Sequence, residues 1–490
     1  MKQASGLSQS LVSDRYWARV FIITFCIYTA IQYFLFYRIT LYFPNGFETE
    51  NFYSPIAAHI AEGGLNGVLA YLLGEMPPGM PYGPTFRPPL YPIVLAALYQ
   101  ITYTSEFLAL CLNNVLLSFS VLFTYLTGSL LSSKVGAIAS FVFMLDIILI
   151  SEANSTHSDT LFLVFIISAH YFVARSILTS HSLANVVAAG TLLGLAILTR
   201  NIGLYFLPAI LVVYVVHGIS SKRLVAMLLA TIVFSMIIGL AVGSWKVRNY
   251  YVTKDAAFSS GNMAVHLNHY YLPLVYANRD GIAFDLARQK VKSEFESLPG
   301  FTGMTLSQRD SAKIGFAITK TVVNAHWVAL TLVDNLPKLL LSYPFEVLAT
   351  LANQAQMKNW QRFDSAEFKK RYERSNFDIP AKFAVFKYYW NNGMAVSAIY
   401  GLTNKVANGI SFILALAGVF LLWRHENKSL RIIGTLLLLQ CFIILSISIL
   451  APSARFRIPI MPFISLAAAI AVNSLMAATK SRGPANNPNG

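Results

Sequence analysis

Ten apolar segments, spread over most of the chain, constrain the fold more than any other feature of the sequence. A helix that crosses a bilayer needs roughly 20 mostly apolar residues. The ten segments lie at about 17–40, 107–131, 135–150, 159–175, 183–199, 201–217, 224–243, 402–423, 430–450 and 458–478. A shorter run, 90–104, follows a double proline and is predicted to be a surface helix, with an eleventh span as the alternative. The sequence therefore predicts an all-α polytopic membrane protein.

Composition agrees with this prediction. Of the 490 residues, 56% are hydrophobic and 12% are charged, which is about half the charged share of a soluble domain. A formal net charge of +15 would indicate a nucleic-acid partner for a soluble protein. In a membrane protein, basic residues instead hold loops in the cytosol and face anionic headgroups. We therefore expect membrane lipids as partners and no nucleic acid.

The distribution of lysine and arginine predicts the orientation. With a cytosolic N-terminus every short inside loop is basic, which is the arrangement that membrane proteins favour. The inside bases are Lys134, Arg175, Lys222, Arg223, Arg424, Lys428, Arg431, Lys480 and Arg482.

This orientation divides the chain into four parts. Residues 1–243 form an N-terminal transmembrane module, which contains the first outer loop, 41–106. Residues 244–400 form an outer region of surface helices and loops, and residues 401–480 form C-terminal transmembrane helices. The polar tail, 481–490, is predicted to be disordered.

Five arginines break the charge pattern, because they lie at predicted outer ends of helices. They are Arg87, Arg200, Arg248, Arg455 and Arg457. A long basic side chain can reach the headgroups from such a position, and this alternative applies to each of them. Five on one face, several of them within compact motifs, favour a shared anionic ligand.

Arg87 lies in a compact motif, Tyr-Gly-Pro-Thr-Phe-Arg-Pro-Pro-Leu-Tyr-Pro, at 82–92. Proline fits the first turn of a helix, so Arg87 is predicted beside the free amides of a helix start, where an anion is favoured. A guanidinium also grips phosphate oxygens with several donors at once. A proline-capped surface helix whose arginine reaches the headgroups is the alternative.

Acidic residues occur on the same face. Glu48 and Glu50 follow the first span, and either could act as a base beside a lipid phosphate; solvated loop acids are the alternative. Asp159 opens the fourth span, where a helix N-terminal charge is the alternative reading. Asp146 lies inside the third span, where a functional role and a hydrogen-bonded packing role are both open.

His266 and His269 have a spacing seen in metal sites, but two histidines without a third ligand make a weak candidate. No metal site or cofactor is predicted with any definition, and a divalent metal stays an open alternative.

Taken in order, these motifs resemble the GT-C superfamily, in particular the bacterial relatives of dolichyl-phosphate-mannose protein mannosyltransferases and the lipid A aminoarabinose transferase. The motifs run from about residue 46 to 465. They are Glu48 or Glu50 before Phe52, Tyr53 and Ala57; Arg87-Pro88-Pro89-Leu90-Tyr91-Pro92; Thr199-Arg200; Trp245 with Arg248-Asn249; and Arg455-Phe456-Arg457 with Pro459 and Pro462.

The resemblance implies a GT-C type transmembrane bundle with extracytoplasmic loops. It implies a glycosyltransferase that moves a hexose or pentose from a polyprenyl-phosphate carrier to a glycan, lipid or protein, with inversion. The catalytic base would be an acid of the first outer loop, where Glu50 and Glu48 fit equally well, and Asp159 would match a second acid that orients the acceptor. The substrate-binding residues would be Arg87, Tyr91, Arg200, Arg248, Asn249, Arg455 and Arg457.

The expected location is the bacterial cytoplasmic (inner) membrane, with the active site on the periplasmic side. A transporter or flippase of an anionic lipid or glycan is the alternative function. It would need a polar pathway with helices broken near the middle of the membrane. The sequence has few charges inside its spans and places its motifs on one face, which favours the enzyme.

Overall fold

The structure, a computed structural model, describes most of the chain. The described residues are 2–42, 52–80, 83–179, 182–254, 256, 258, 260–304, 306–341, 387, 395–448 and 454–481. Glu48 and Glu50 lie outside the described residues, as do nearly all of 342–394 and the predicted tail beyond its first residue.

Helices and turns make up the described part of the chain, which confirms the predicted all-α class. We number the α-helices in chain order. They are α1 (Lys2–Tyr42), α2 (Tyr53–Leu72), α3 (Leu90–Ile101), α4 (Glu106–Ser129), α5 (Ser133–Met144), α6 (Ile148–Ala153), α7 (Asp159–Leu178), α8 (Leu183–Thr199), α9 (Leu207–Ser220), α10 (Leu224–Thr253), α11 (Ser260–Val265), α12 (Leu272–Asp280), α13 (Phe284–Glu296), α14 (Leu306–Val323), α15 (Ala325–Leu341), α16 (Ala395–Arg424), α17 (Lys428–Ser448) and α18 (Met461–Ser481).

Eight stretches of helix among the described residues are long and apolar enough to cross a membrane, or nine if the bent pair α14 and α15 is one span. The sequence predicted ten. The runs at 135–150 and 183–199 correspond to the shorter helices α5 and α8, of 12 and 17 residues. Within the first run the helix stops at Met144, and Asp146 follows in a turn. The predicted surface helix near residue 90 is the 12-residue helix α3.

The bundle is held together by close packing of its helices. Helix α7 packs against α4 and α8, and α18 packs against α16 and α5. Small residues permit the closest approaches: a Cβ on Gly128 would lie 2.7 Å from the Cα of Gly136, and a Cβ on Gly418 would overlap the Ala467 carbonyl. Such small-residue contacts are how helices pack tightly in a membrane.

Helices α12 to α14 form a polar layer beside the bundle. Lys320 Nζ lies 2.7 Å from Glu294, and Lys290 Nζ lies 3.0 Å from Asp280. Burial of hydrophobic side chains, including Leu272 and Val291, holds the helices of this layer together. The chain then bends by 95° between α14 and α15.

A fully buried ion pair joins distant parts of the chain. Arg457 donates from Nε and Nη2 to the two carboxylate oxygens of Asp146, at 2.8 and 2.7 Å, and both side chains have zero exposure. A third bond, 3.1 Å from Arg457 Nη1 to the Leu339 carbonyl, reaches α15. Asn408 of α16 approaches the same carboxylate at 3.5 Å. Four segments therefore meet at one pair of charges.

We predict that Asp146→Asn destabilises the protein strongly, because it leaves the Arg457 guanidinium buried without a matching charge. Breaking one partner of such a pair costs about 3–5 kcal/mol. The measurement is the apparent melting temperature of the purified protein in detergent.

Two variants make this prediction specific. Asp285→Asn removes an exposed pair, 3.3 Å from Arg288, and should cost less than about 1 kcal/mol. The double variant Asp146→Leu with Arg457→Met should recover much of the lost stability, because apolar residues often replace a buried pair without loss. Equal melting temperatures for Asp146→Asn and Asp285→Asn would contradict the prediction.

Candidate functional site

Three chain segments bring charged residues to one end of the bundle. Asp159 is the first residue of α7, Arg200 directly follows the last residue of α8, and Arg455 lies in a 3₁₀ turn, Ala454–Ile460, that leads into α18. This turn packs against α6, α7 and α15. The ends of three helices thus converge, which is where charged groups can be placed at the boundary of a membrane.

Asp159 lies between two guanidinium groups. Its Oδ2 is in direct ionic contact with Arg200 Nη1 and lies 3.6 Å from Arg455 Nε. The Asp159 side chain is 3% exposed, whereas those of Arg200 and Arg455 are 13% and 24% exposed. The carboxylate is therefore the buried base of the group, and the two arginines reach toward a more open side.

A histidine and a second acid extend this group. His157 Nδ1 lies 2.8 Å from Glu152 Oε2, and Arg455 Nη1 lies 3.0 Å from the His157 Nε2 atom. Because a guanidinium only donates, the imidazole accepts from Arg455 at Nε2 and donates from Nδ1 to Glu152. The order of contacts is Glu152, His157, Arg455, Asp159 and Arg200.

Arg87 approaches the site from the α2–α3 connection. The prolines that follow it start α3 at Leu90, as the sequence predicted. Its guanidinium carbon lies 5.2 Å from the Phe86 ring centroid and 5.9 Å from that of Phe52. Among the described residues, the buried Nε of Arg87 has no hydrogen-bond partner. A guanidinium held by aromatic rings with an unused donor is suited to an anion.

His266 lies beside all of these bases. It opens a π-helical turn, His266–Tyr271, and its ring lies 5.9 Å from that of Phe456. Burial, and then the positive charges of Arg87, Arg200 and Arg455, lower the pKa of His266 to about 4. Three arginines that lie far apart in the sequence therefore act on one imidazole, which is uncharged at neutral pH.

A network of neutral hydrogen bonds lies under the site. Asn113 of α4 accepts from Thr160 at 2.8 Å and donates to the Ser155 carbonyl at 2.8 Å. The Asn113 amide also donates to the hydroxyl of Tyr91, at 3.1 Å. Tyr91, expected to bind substrate, is fully buried, so in this structure it fixes α3 against α4 and the segment before α7.

Arg248 and Asn249 lie on another side of the α2–α3 connection. Arg248 donates to the carbonyls of Tyr71, Leu72 and Pro84 at 2.8, 2.7 and 3.0 Å. Its guanidinium also stacks on Trp245, 4.5 Å from the ring centroid. Asn249 is buried and accepts from Arg248 at 3.1 Å. This pair fastens the segment that carries Arg87 to α10.

The sequence named seven arginine, tyrosine and asparagine positions as substrate-binding residues, and the structure separates them. Arg87, Arg200 and Arg455 act on the same imidazole. Arg248, Asn249 and Tyr91 support the surrounding chain. Arg457 points into the buried pair with Asp146. Glu152 and His157 were not singled out as site residues; their position next to Asp159 at the start of a span was the available signal.

One group among the described residues combines three donors of the kind that bind metals. The donor atoms of Glu152, His157 and Asp159 lie within 4.8 Å of one another. Arg455 and Arg200 already contact these donors, so two guanidinium charges balance the two carboxylates and a divalent ion does not fit this arrangement. The predicted candidates His266 and His269 belong to no such group in the described part of the chain.

Comparison with known proteins gives one match at the level of a family. The profile of the dolichyl-phosphate-mannose-protein mannosyltransferase family matches residues 86–245. The matched segment contains Arg87, Asp159 and Arg200, whereas Glu48, Glu50 and Arg455 lie outside it. The match confirms, over about a third of the chain, the resemblance to GT-C glycosyltransferases predicted from the sequence. No curated protein sequence matches significantly.

Solved structures with a similar fold come from two kinds of protein. One is the archaeal oligosaccharyltransferase AglB from Archaeoglobus fulgidus in complex with an inhibitory peptide and a dolichol-phosphate; identity is 12%, the TM-score is 0.45, and 94% of this chain and 52% of that one are covered. Another is ArnT from Cupriavidus metallidurans bound to undecaprenyl phosphate; identity is 13%, the TM-score is 0.34, and 94% and 78% are covered. The chain spans about half the length of AglB.

We predict that His266 titrates near pH 4 in the folded protein, because burial and the neighbouring arginines oppose its protonation. The unfolded protein takes up this proton near pH 6.5. The stability that His266 contributes is therefore complete above about pH 6.5 and declines as the pH falls toward 4. Histidine-selective NMR of the protein in micelles measures the midpoint.

Two variants identify the signal and its cause. His266→Gln should remove the resonance, and Arg87→Met should move its midpoint upward, since one positive charge is lost. A His266 midpoint above about pH 6 in the wild-type protein would refute the assignment of this environment.

Proposed function

We propose that the protein is a glycosyltransferase that moves a sugar from a polyprenyl-phosphate carrier to an acceptor hydroxyl on a glycan, lipid or protein. The observation that carries this proposal is the convergence of Arg87, Arg200 and Arg455 on one imidazole at the end of an apolar bundle. The family match over 86–245 supports the reaction class.

Charge supports a phosphate ligand. Arg87, Arg200 and Arg455 bring three positive charges, and Glu152 and Asp159 bring two negative ones, while His266 is neutral at pH 7. The described part of the site thus has one excess positive charge. A phosphodiester that links a sugar to a lipid carries one negative charge, which this excess would balance.

Position supports a lipid-linked donor. Asp159 and Arg455 are terminal residues of candidate spans, and Arg200 directly precedes a third one that begins at Asn201. Their charged groups therefore lie where the apolar length of the bundle ends. A polyprenyl chain would remain in the bilayer while its phosphate reaches these residues at the level of the headgroups.

The chemistry is a single displacement. The acceptor oxygen attacks the anomeric carbon, and the bond from that carbon to the phosphate oxygen breaks with inversion. The carrier phosphate leaves as a monoester with one more negative charge than before. Arg87, Arg200 and Arg455 would stabilise this developing charge, as preorganised donors do in other enzymes. No acid is needed to protonate the leaving group.

The acceptor proton requires a base. We assign this role to Glu48 or Glu50, which lie outside the described residues, in the segment that leads to Phe52 beside Arg87. Asp159 is held between two guanidinium groups, so we assign it to hold Arg200 and Arg455 in place for the donor phosphate.

The proposed location follows from the charge distribution. Basic inside loops place the N-terminus in the cytosol, and the site then lies on the periplasmic side of the bacterial inner membrane. A divalent metal is not assigned to the reaction.

We predict that Arg87→Ala abolishes sugar transfer without unfolding the protein, because a donor to the leaving phosphate is lost. Cells that lack the gene are complemented with each variant, and mass spectrometry of their surface glycans and glycolipids measures the transferred sugar. Arg175→Ala is the matched control, since Arg175 lies in the last turn of α7, at the opposite end from Asp159. It should transfer at the wild-type level.

Removing both Glu48 and Glu50 should also abolish transfer, whereas each single Gln variant identifies which of them is the base. Near-normal transfer by Arg87→Ala would contradict the proposal. Flux of a glycolipid across vesicles without cleavage of the sugar–phosphate bond would indicate a transporter instead.

A further inference from the structure

We infer that Glu152 and His157 are positioning residues that set the orientation of the Arg455 guanidinium toward the donor phosphate. This inference rests on the proposed function and adds two residues to it. Their contacts form a chain that begins at a buried carboxylate and ends at an arginine of the site.

The geometry determines which nitrogen of His157 does what. Glu152, at 2.8 Å from Nδ1, can only accept a hydrogen bond when ionised, so Nδ1 carries the proton. Nε2 then has a lone pair directed at Arg455 Nη1, 3.0 Å away. A carboxylate that fixes the tautomer of a histidine in this way also fixes the direction of its other nitrogen.

The same contacts limit what Arg455 can do. One edge of its guanidinium is directed at Asp159, 3.6 Å from Nε, and Nη1 is directed at His157. Its side chain is nevertheless 24% exposed, against 13% for His157 and 9% for Glu152. Two contacts from the buried side hold a flat group at a fixed angle, and its exposed part is left for a ligand.

The surrounding chain makes this arrangement rigid. Glu152 lies at the end of α6, and His157 lies in the short connection to α7, where its carbonyl also accepts from Asn113 at 3.4 Å. Two residues beyond Arg455, Arg457 is anchored in its buried pair. Neither end of the chain of contacts can shift without breaking buried polar interactions, so the arginine is held in place before the donor arrives.

Two substitutions separate the two ends of the imidazole. His157→Gln places an amide oxygen near the position of Nε2 and can still accept from Arg455. His157→Asn places an amide nitrogen near the position of Nδ1 and can still donate to Glu152, but it does not reach Arg455. A merely structural role for His157 would not distinguish these variants in this order.

The test is binding of undecaprenyl phosphate to the purified full-length protein in detergent, measured by native mass spectrometry. We expect His157→Gln to retain most of the affinity, and His157→Asn and Glu152→Ala to lose about ten-fold. Arg455→Ala should lose at least as much. The double variant His157→Asn with Arg455→Ala should bind no more weakly than Arg455→Ala alone, because the histidine acts through the arginine. The exposed His425 gives the control His425→Asn.

The outcomes are distinct. Equal losses for His157→Gln and His157→Asn, or additive losses in the double variant, would overturn the inference. Melting temperatures within a few degrees of wild type show that each variant folds; a variant that does not fold is replaced by Glu152→Gln, which keeps the shape of the acid and should weaken binding less than Glu152→Ala. If the wild-type protein does not bind undecaprenyl phosphate, the proposed function fails and this inference fails with it.

Discussion

The cost of a charge at the edge of an apolar bundle governs the arrangement of this protein. A guanidinium taken out of water needs a carboxylate, a set of carbonyls or an aromatic face, and the arginines of interest meet this need in different ways. Arg457 has a carboxylate, Arg248 has three carbonyls and an indole ring, and Arg87 has two phenyl rings. The partner of each arginine separates those that hold the chain together from those that can receive a ligand.

The fold was largely predictable from hydropathy. Apolar runs of spanning length are the strongest sequence signal a membrane protein offers, and the all-α class followed from them. The main departure is the segment 135–150, which hydropathy treats as one run. In the structure its helix stops at Met144 because Asp146 turns to meet Arg457. A tertiary ion pair of this kind leaves no mark in a local hydropathy pattern.

The candidate site was predictable in part. The position of Asp159 and Arg200 at the same predicted face allowed their contact to be anticipated. The sorting of the arginines could not be, because it depends on irregular backbone. The carbonyls that receive Arg248 belong to the segment after α2, and their direction is set by turns rather than by periodicity. Glu152 and His157 likewise meet only because α6 is a single short helix that ends just before the start of α7.

The anchoring of Arg457 has a consequence for how a bulky lipid enters and leaves. The turn that carries Arg455 is tied through Arg457 to α15 and to the turn before α6. The helix that follows this turn is pressed against α16, with Gly418 at the contact. This wall of the site cannot swing. Exchange of substrate and product must therefore proceed through the opposite wall, formed by the chain around Arg87 and the π-helical turn of His266, where the backbone is irregular and a hinge costs least.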